Sequence, residues 1–263
     1  MADAGVPARL RARKSLGQHF LFDPGICRRI VLQAGDLAGR NVVEIGPGPG
    51  GLTRALLFSD LARLVAVEVD DRAVTALTPL AILDRRLDVV HGDAVGIDLV
   101  ELVEAPRQVI ANLPYNVGTP LLIGLLRQAS QWERLTLMFQ QEVAERLVAE
   151  PNTPAFGRLS VLAQWLCNVE LRMRLPPGAF VPPPKVWSAV VVLEPRSPQP
   201  SAALVQSMEA LTAAAFGQRR KMLRSSLKGL GGVPLLQRAA VDPQLRGEAL
   251  DIATFERLAR LLS

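Results

Sequence analysis

The five residues Asn41 to Ile45 (NVVEI) run directly into Gly46, Pro47, Gly48, Pro49, Gly50 and Gly51, and the chain then turns helical at LTRALLF. A β-branched run too short for a helix, a turn almost free of side chains and an immediate helix start together make a strand-turn-helix unit. Similar short apolar runs recur at Leu64 to Val69, Leu87 to His91, Gln108 to Ala111 and Leu135 to Gln140, with helical patterns between them. That alternation predicts βαβ units and an α/β fold with a mostly parallel sheet. Further on, Val169, Leu171, Met173 and Leu175 alternate with polar residues, and Val186 to Leu193 reads as a returning strand, so an antiparallel edge is expected. The segment Glu194 to Ser201 (EPRSPQPS) has the prolines and polarity of a linker. From Ala202 the spacing is helical, interrupted by Gly229, Gly231, Gly232 and Pro234. The expected division is a sheet-bearing domain over residues 1–195 and a small all-helical domain over 196–263.

With 263 residues, 49% hydrophobic and 21% charged, the chain can bury a substantial core. Thirty basic against 25 acidic side chains give +5, which favours an anionic partner without naming it. The excess is local. Arg9, Arg11, Arg13 and Lys14 crowd the N-terminal segment, and Arg219, Arg220, Lys221, Arg224 and Lys228 crowd a later one; each is either a phosphate-binding face or a solvated one. Cys27, Cys167, His19 and His91 fall in no metal-ligand spacing, so no metal and no disulfide are expected. No apolar run approaches the roughly 18 residues of a membrane span, and the first twenty residues lack the apolar stretch of a secretory signal. A cytoplasmic protein without membrane contact is the expectation, and a monomer the default.

Gly46, Gly48 and Gly51 satisfy G-x-G-x-x-G, and Glu68 lies about 20 residues on, as a dinucleotide fingerprint requires. The pattern alone does not separate a nicotinamide cofactor from S-adenosylmethionine. Pro47 and Pro49, however, remove two N–H donors from a loop that would have to cradle a pyrophosphate, whereas S-adenosylmethionine carries no phosphate. Glu44, Glu68 and Asp93 should gather at the carboxyl edge of the sheet, where ligands of such folds bind. Glu68 is placed to accept from the ribose hydroxyls and Asp93 from the adenine amino group. The competing reading makes these acids ordinary helix caps, with more force for Asp93 than for Glu68.

After the fourth strand come Asn112, Leu113, Pro114 and Tyr115, a tetrapeptide of the form N-P-P-Y seen where an amino group on a flat ring is methylated. The lone pair of adenine N6 is delocalised into the ring, so two acceptors aimed at its hydrogens, the Asn112 side-chain oxygen and the Leu113 carbonyl, would favour a tetrahedral, nucleophilic nitrogen. Pro114 stiffens the turn, and Tyr115, the one tyrosine of the chain, offers a stacking face. A sulfonium is electrophile enough to need no strong general base, and the base must leave any helical stack to react. Phe180 either closes the other side of that base or plugs the core beneath a proline-rich loop.

KSLGQHFL (14–21), VVEIGPGPGGLT (42–53), NLPYNV (112–117), FGRLSVLAQ (156–164), FVPPPKVWSAVV (180–191) and FGQRRKMLR (216–224), in this order, resemble the KsgA/RsmA group of ribosomal RNA adenine dimethyltransferases. The resemblance spans nearly the whole chain. It implies a class I, Rossmann-like methyltransferase with a mostly parallel seven-stranded sheet, S-adenosylmethionine as methyl donor and S-adenosylhomocysteine as product. The implied reaction is N6,N6-dimethylation of two adjacent adenosines near the 3′ end of small-subunit (16S) rRNA during ribosome biogenesis, on the small subunit or its assembly precursor. Matching motifs put cofactor contacts at His19, Leu21, Gly46, Glu68, Asp93 and Asn112, with Asn112, Leu113 and Tyr115 facing the target adenine. His19 stands where many members have asparagine, and Trp187 where aspartate or threonine is common. Three rivals remain: a large-subunit rRNA adenine methyltransferase conferring antibiotic resistance, disfavoured by FGQRRKMLR and the NLPY wording; a nicotinamide oxidoreductase; and an rRNA-binding assembly factor without catalysis.

Overall fold

The computed structural model describes residues 10–263, so Arg9 of the N-terminal basic cluster lies outside the described residues. The chain divides into two compact units, one of residues up to Ala144 with Glu170–Glu194, the other of Glu145–Val169 with Pro195–Ser263.

The first unit is a doubly wound α/β sheet. Strands β2 (Asn41–Ile45), β3 (Arg63–Glu68), β4 (Leu87–His91), β5 (Arg107–Asn112), β6 (Arg134–Gln140), β7 (Cys167–Leu175) and β9 (Ser188–Pro195) lie in the order β4-β3-β2-β5-β6-β9-β7. From β4 to β6 all pairs are parallel, and β9 runs antiparallel to β6 from Leu135↔Leu193 to Gln140↔Ser188. The uniform apolarity of NVVEI follows from its central place. Val43 sits between Val65 and Val109 and is fully buried, so neither face of β2 meets water. Because these strands are parallel and in register, Ile45, Glu68, His91 and Asn112 all end at one edge.

Helices α1 (Pro24–Gln33), α2 (Gly51–Leu57), α3 (Asp71–Leu83) and α4 (Gly118–Arg127) connect the strands, and α5 (Gln141–Leu147) follows β6. Asp23 caps α1 by accepting from the N–H groups of Gly25 and Ile26, with Pro24 in the first turn; Asp70 caps α3 through the N–H of Arg72. An additional pair, β1 (Phe20–Leu21) and β8 (Phe180–Val181), joins antiparallel with Phe20 opposite Val181 and Leu21 opposite Phe180. Two-residue strands leave no periodicity, so nothing in the sequence pattern announces this pairing. It draws Leu21 and Phe180 into the same apolar cluster as Cys27, Ile30 and Leu56.

The second unit contains α6 (Arg158–Leu166), α7 (Ala202–Gly217), α8 (Leu223–Ser226), α9 (Gly232–Arg238) and α10 (Ile252–Arg260). A division at one linker does not provide for residues 145–169, which cluster with these helices. The reason is the buried face of α6, Val161, Leu162, Trp165 and Leu166, which packs on α7 and α10, with Trp165 Nε1–H donating to Glu256 at 3.2 Å. Phe216 lies between Phe156 and Phe255, its ring centroid 6.1 and 5.6 Å from theirs. No helix among the described residues is long and apolar enough to cross a membrane.

Candidate active site

At the carboxyl edge of the sheet the turns after β2, β3 and β5, together with residues 16–21, line an open cavity, the place where ligands of such folds bind. His19, Leu21, Gly46, Glu68, Asn112, Leu113, Pro114 and Tyr115 all line it.

The glycine turn is shaped by what crosses it. Gly48 has φ +55°, and a Cβ there would meet the Phe20 ring at 2.8 Å; a Cβ on Gly51 would stand 2.0 Å from the Leu21 carbonyl oxygen. β1 therefore lies directly on the turn, and only glycine admits it. Glu68, 4% exposed, accepts from the N–H of Gly48 at Oε2 and from those of Val69 and Asp70 at Oε1, each at 2.9 Å. Burial raises its pKa, against the effect of those three bonds. Glu44 lies deeper, and burial pushes its carboxyl up to about 8. Its Oε2 is buried without a hydrogen-bond partner.

The catalytic loop is fixed by bonds to its neighbours. Asn112 Nδ2–H donates to the His19 carbonyl at 2.9 Å. A carbonyl can only accept, so the amide orientation is set and Oδ1 is turned away from it. Leu113 buries its side chain (1% exposed), leaving the backbone carbonyl as its polar group. The Tyr115 hydroxyl is 2.5 Å from Ser188 Oγ, and its ring centroid is 5.2 Å from that of His19. Burial raises the Tyr115 pKa, so the phenol stays neutral. His19 Nδ1–H donates to the Pro182 carbonyl at 2.8 Å. Its side chain thus holds the loop after β8 and packs, tilted by 34°, against the tyrosine.

Two expected site residues stand elsewhere. Phe180 is 2% exposed, belongs to the apolar core cluster and lines no part of the cavity. Its pairing with Leu21 brings it into the core cluster beneath the proline-rich loop. Asp93 is exposed, outside the cavity wall, and its Oδ1 accepts the Val95 N–H at 2.9 Å, the turn-capping role. It nevertheless stays close, because the neighbouring Gly92 N–H donates to the Glu68 carbonyl. Conversely, Val69, 49% exposed on the cavity wall beside Glu68, and Gln18 are wall residues that sequence reasoning passes over. An apolar side chain directly after a strand-ending acid was the available signal for Val69. Trp187 is 48% exposed, and its carbonyl accepts the N–H of Gln141.

The donor set indicates the ligand's charge. Among the described residues no lysine or arginine lines the cavity, whereas two carboxylates do, one with an unpartnered oxygen. Such walls offer a pyrophosphate no cationic partner and offer acceptors to a ligand that carries hydroxyl and ammonium groups, which fits S-adenosylmethionine and disfavours the nicotinamide rival.

The model for "Ribosomal RNA adenine dimethylase" matches residues 9–262. The chain is 61% identical to ribosomal RNA small subunit methyltransferase A of Gluconobacter oxydans (strain 621H), over 96% of this chain and 84% of that protein. A dimethyladenosine transferase from Plasmodium falciparum superposes with a TM-score of 0.78 at 25% identity, over 91% of this chain and 96% of the other. The 23S rRNA methyltransferase ErmE shares the fold, with a TM-score of 0.68 at 24% identity over 92% and 99% of the two chains.

Proposed function

The chain belongs to the ribosomal RNA adenine dimethylase family, and from that premise we propose that it transfers methyl groups from S-adenosylmethionine to N6 of two adjacent adenosines near the 3′ end of small-subunit rRNA. The observation that carries this reading is the Asn112 amide. Its donor is spent on the His19 carbonyl, so its acceptor is left for a nitrogen that must be pulled out of conjugation. The Leu113 carbonyl supplies the second acceptor, and the two together hold both N6 hydrogens while the lone pair turns toward the methyl donor. Tyr115, neutral and tethered to Ser188, gives the flipped base a fixed face.

Glu68 is the residue to take the ribose hydroxyls, Glu44 with its free oxygen the residue for an ammonium group, and Val69 the apolar rest for the cofactor's adenine, with Asp93 at the rim for that ring's amino group. When bound, S-adenosylmethionine supplies the methyl group on a sulfonium that leaves as a neutral thioether. The nitrogen becomes acidic as it is alkylated, and its proton, held by the Asn112 and Leu113 acceptors, is lost to solvent without a dedicated base. The substrate is the small subunit or its assembly precursor, which puts the protein in the cytoplasm.

The test is transfer of labelled methyl to small ribosomal subunits lacking the modification, with large subunits in parallel and nucleoside analysis afterwards. Dimethyladenosine in small-subunit RNA alone is expected. Asn112→Ala should lower the transfer rate by at least about 100-fold, the scale of one lost acceptor for developing charge, while RNA affinity changes little. Label confined to large subunits would replace this reading with the resistance-type one.

A further inference from the structure

Residues 11–19 form a strap along one wall of the cavity, with Leu16, Gly17, Gln18 and His19 all lining it. The strap pairs with no neighbouring strand until Phe20, so side chains hold it down. One end is secured at the catalytic loop by the bond from Asn112 to the His19 carbonyl. Asn116 Nδ2–H reaches the Ser15 carbonyl at 3.5 Å, and the remaining side-chain bonds are gathered on a single carboxylate. Asp70 Oδ2 accepts from Gln18 Nε2 at 3.0 Å, and Asp70 Oδ1 lies 3.7 Å from the Arg13 guanidinium. Gln18 in turn accepts the Arg13 N–H at 2.9 Å. Arg72 bonds both Asp70 oxygens, at 2.9 and 2.5 Å, and reaches past them to the Arg11 carbonyl at 3.1 Å.

A helix cap needs to accept one or two N–H groups from its own first turn, and Asp70 does that through Arg72. Its side chain also pairs with the Arg72 guanidinium, and its bonds to Gln18 and Arg13 lead to the strap. The Asp70 side chain is 1% exposed, so its charge has been taken out of water and is compensated by this network alone. At the same time the Asp70 N–H donates to Glu68 Oε1. One residue thus touches both the carboxylate assigned to the ribose and the segment that covers it.

We propose that Asp70 is a positioning residue that latches the Arg11–His19 strap over the cofactor, so that engagement of Glu68 and closure of the strap stabilise each other. The inference rests on the assignment of this cavity to S-adenosylmethionine. A ligand that fixes the Glu68 turn fixes the backbone from which Asp70 extends, and by linkage a strap held by Asp70 slows the ligand's escape. Because the His19 end has anchors of its own at Asn112 and Pro182, the catalytic amide keeps its orientation when the latch is lost. The latch therefore acts on cofactor capture and spares the transfer step.

The experiment compares the full-length protein with Asp70→Ala and Gln18→Ala by calorimetric titration of S-adenosylhomocysteine, limited trypsin digestion at Arg11 and Arg13 read by intact mass, and steady-state methylation. S-adenosylhomocysteine should slow strap cleavage of the parent protein by about tenfold and that of Asp70→Ala by less than about twofold; the Kd should rise about tenfold, as for loss of one hydrogen-bonded charge. The KM for the methyl donor should rise in parallel while kcat at saturation stays within about twofold. Gln18→Ala removes the strap's side of the latch without touching the cap of α3; because Gln18 also lines the cavity, loss of trypsin protection at saturating S-adenosylhomocysteine, not the Kd, decides the matter if Asp70→Ala fails to fold. Cleavage of the parent protein that ignores S-adenosylhomocysteine, or variants that bind it as the parent does, would overturn the latch. A parent protein that binds no S-adenosylhomocysteine would overturn the cofactor assignment beneath it.

Discussion

Glu44 keeps a proton that a free carboxylate would have lost, because burial in the floor of the cavity pushes its pKa from 4.5 up to about 8. The unfolded chain releases that proton near pH 4.5 while the folded protein holds it, so the folded state binds more protons across the interval. Stability therefore falls as pH rises from about 4.5 to about 8 and levels off above. Glu44→Gln, with no charge to hide, should be the more stable protein at pH 8.5, by at most about 4 to 5 kcal/mol. The advantage should vanish near pH 4, as measured by urea unfolding across pH; an unchanged gap at both ends would mean that the side chain's packing, not its proton, sets the cost. The same variant should bind S-adenosylhomocysteine more weakly, since the oxygen left unpartnered in the cavity wall is removed. At this scale the sequence was informative wherever a residue's chemistry is rare in its setting. An asparagine followed by proline and a lone tyrosine at a strand end, and an acid closing the second strand, have few structural uses, and the cavity gathers them. Phe180 and Asp93 carried two readings each, because an aromatic ring fills cores as readily as it stacks, and an aspartate caps turns as readily as it binds.

At the scale of elements, the glycine turn and β1 form one packed joint. Gly51→Ala would drive a methyl group into the Leu21 carbonyl, which is backbone and cannot swing aside. A destabilisation of roughly 1–3 kcal/mol is expected, the usual cost of overpacking, visible as a lower Tm and accompanied by loss of S-adenosylhomocysteine binding. A variant that keeps both would show that β1 can lift from the turn at no cost. Four of the five parallel strands are legible because their burial on both faces demands unbroken apolar runs, as Val42, Val43 and Ile45 show, while β4, at the sheet edge, is only partly buried. The β1–β8 pair is not legible. Its partners are two residues long, and the register of Leu21 with Phe180 is imposed by tertiary packing that no local period encodes. Nor does local spacing show that α6 joins the C-terminal helices, since an apolar helix face does not name the surface it will meet.

The charge of the whole molecule is +5, but the cations behind it are not equivalent. In the C-terminal basic cluster Arg219 donates to the carbonyls of Pro154 at 2.5 Å and Phe156 at 2.8 Å, so this guanidinium ties a loop of its own unit. Arg220 and Lys221 are exposed. Reversing Arg220 and Lys221 together should weaken RNA binding and flatten the slope of log K against log salt by roughly 1.4, two single-strand phosphate contacts at about 0.7 each. Reversing Arg219 should instead lower Tm; a salt slope unmoved by the double reversal would make that cluster a solvated face. The pairing of Phe20 with Val181 also has a bearing on time. The wall of the cavity that starts near residue 20 finds its partner about 160 residues later in the chain. At synthesis rates of about 5–20 residues per second, roughly eight to thirty seconds separate the emergence of the first wall from that of the strand which anchors it. A nascent chain thus carries the glycine turn and the NLPY loop well before it can hold a methyl donor beside them, and a chain cut short before β8 is an incomplete catalyst whatever else it has folded.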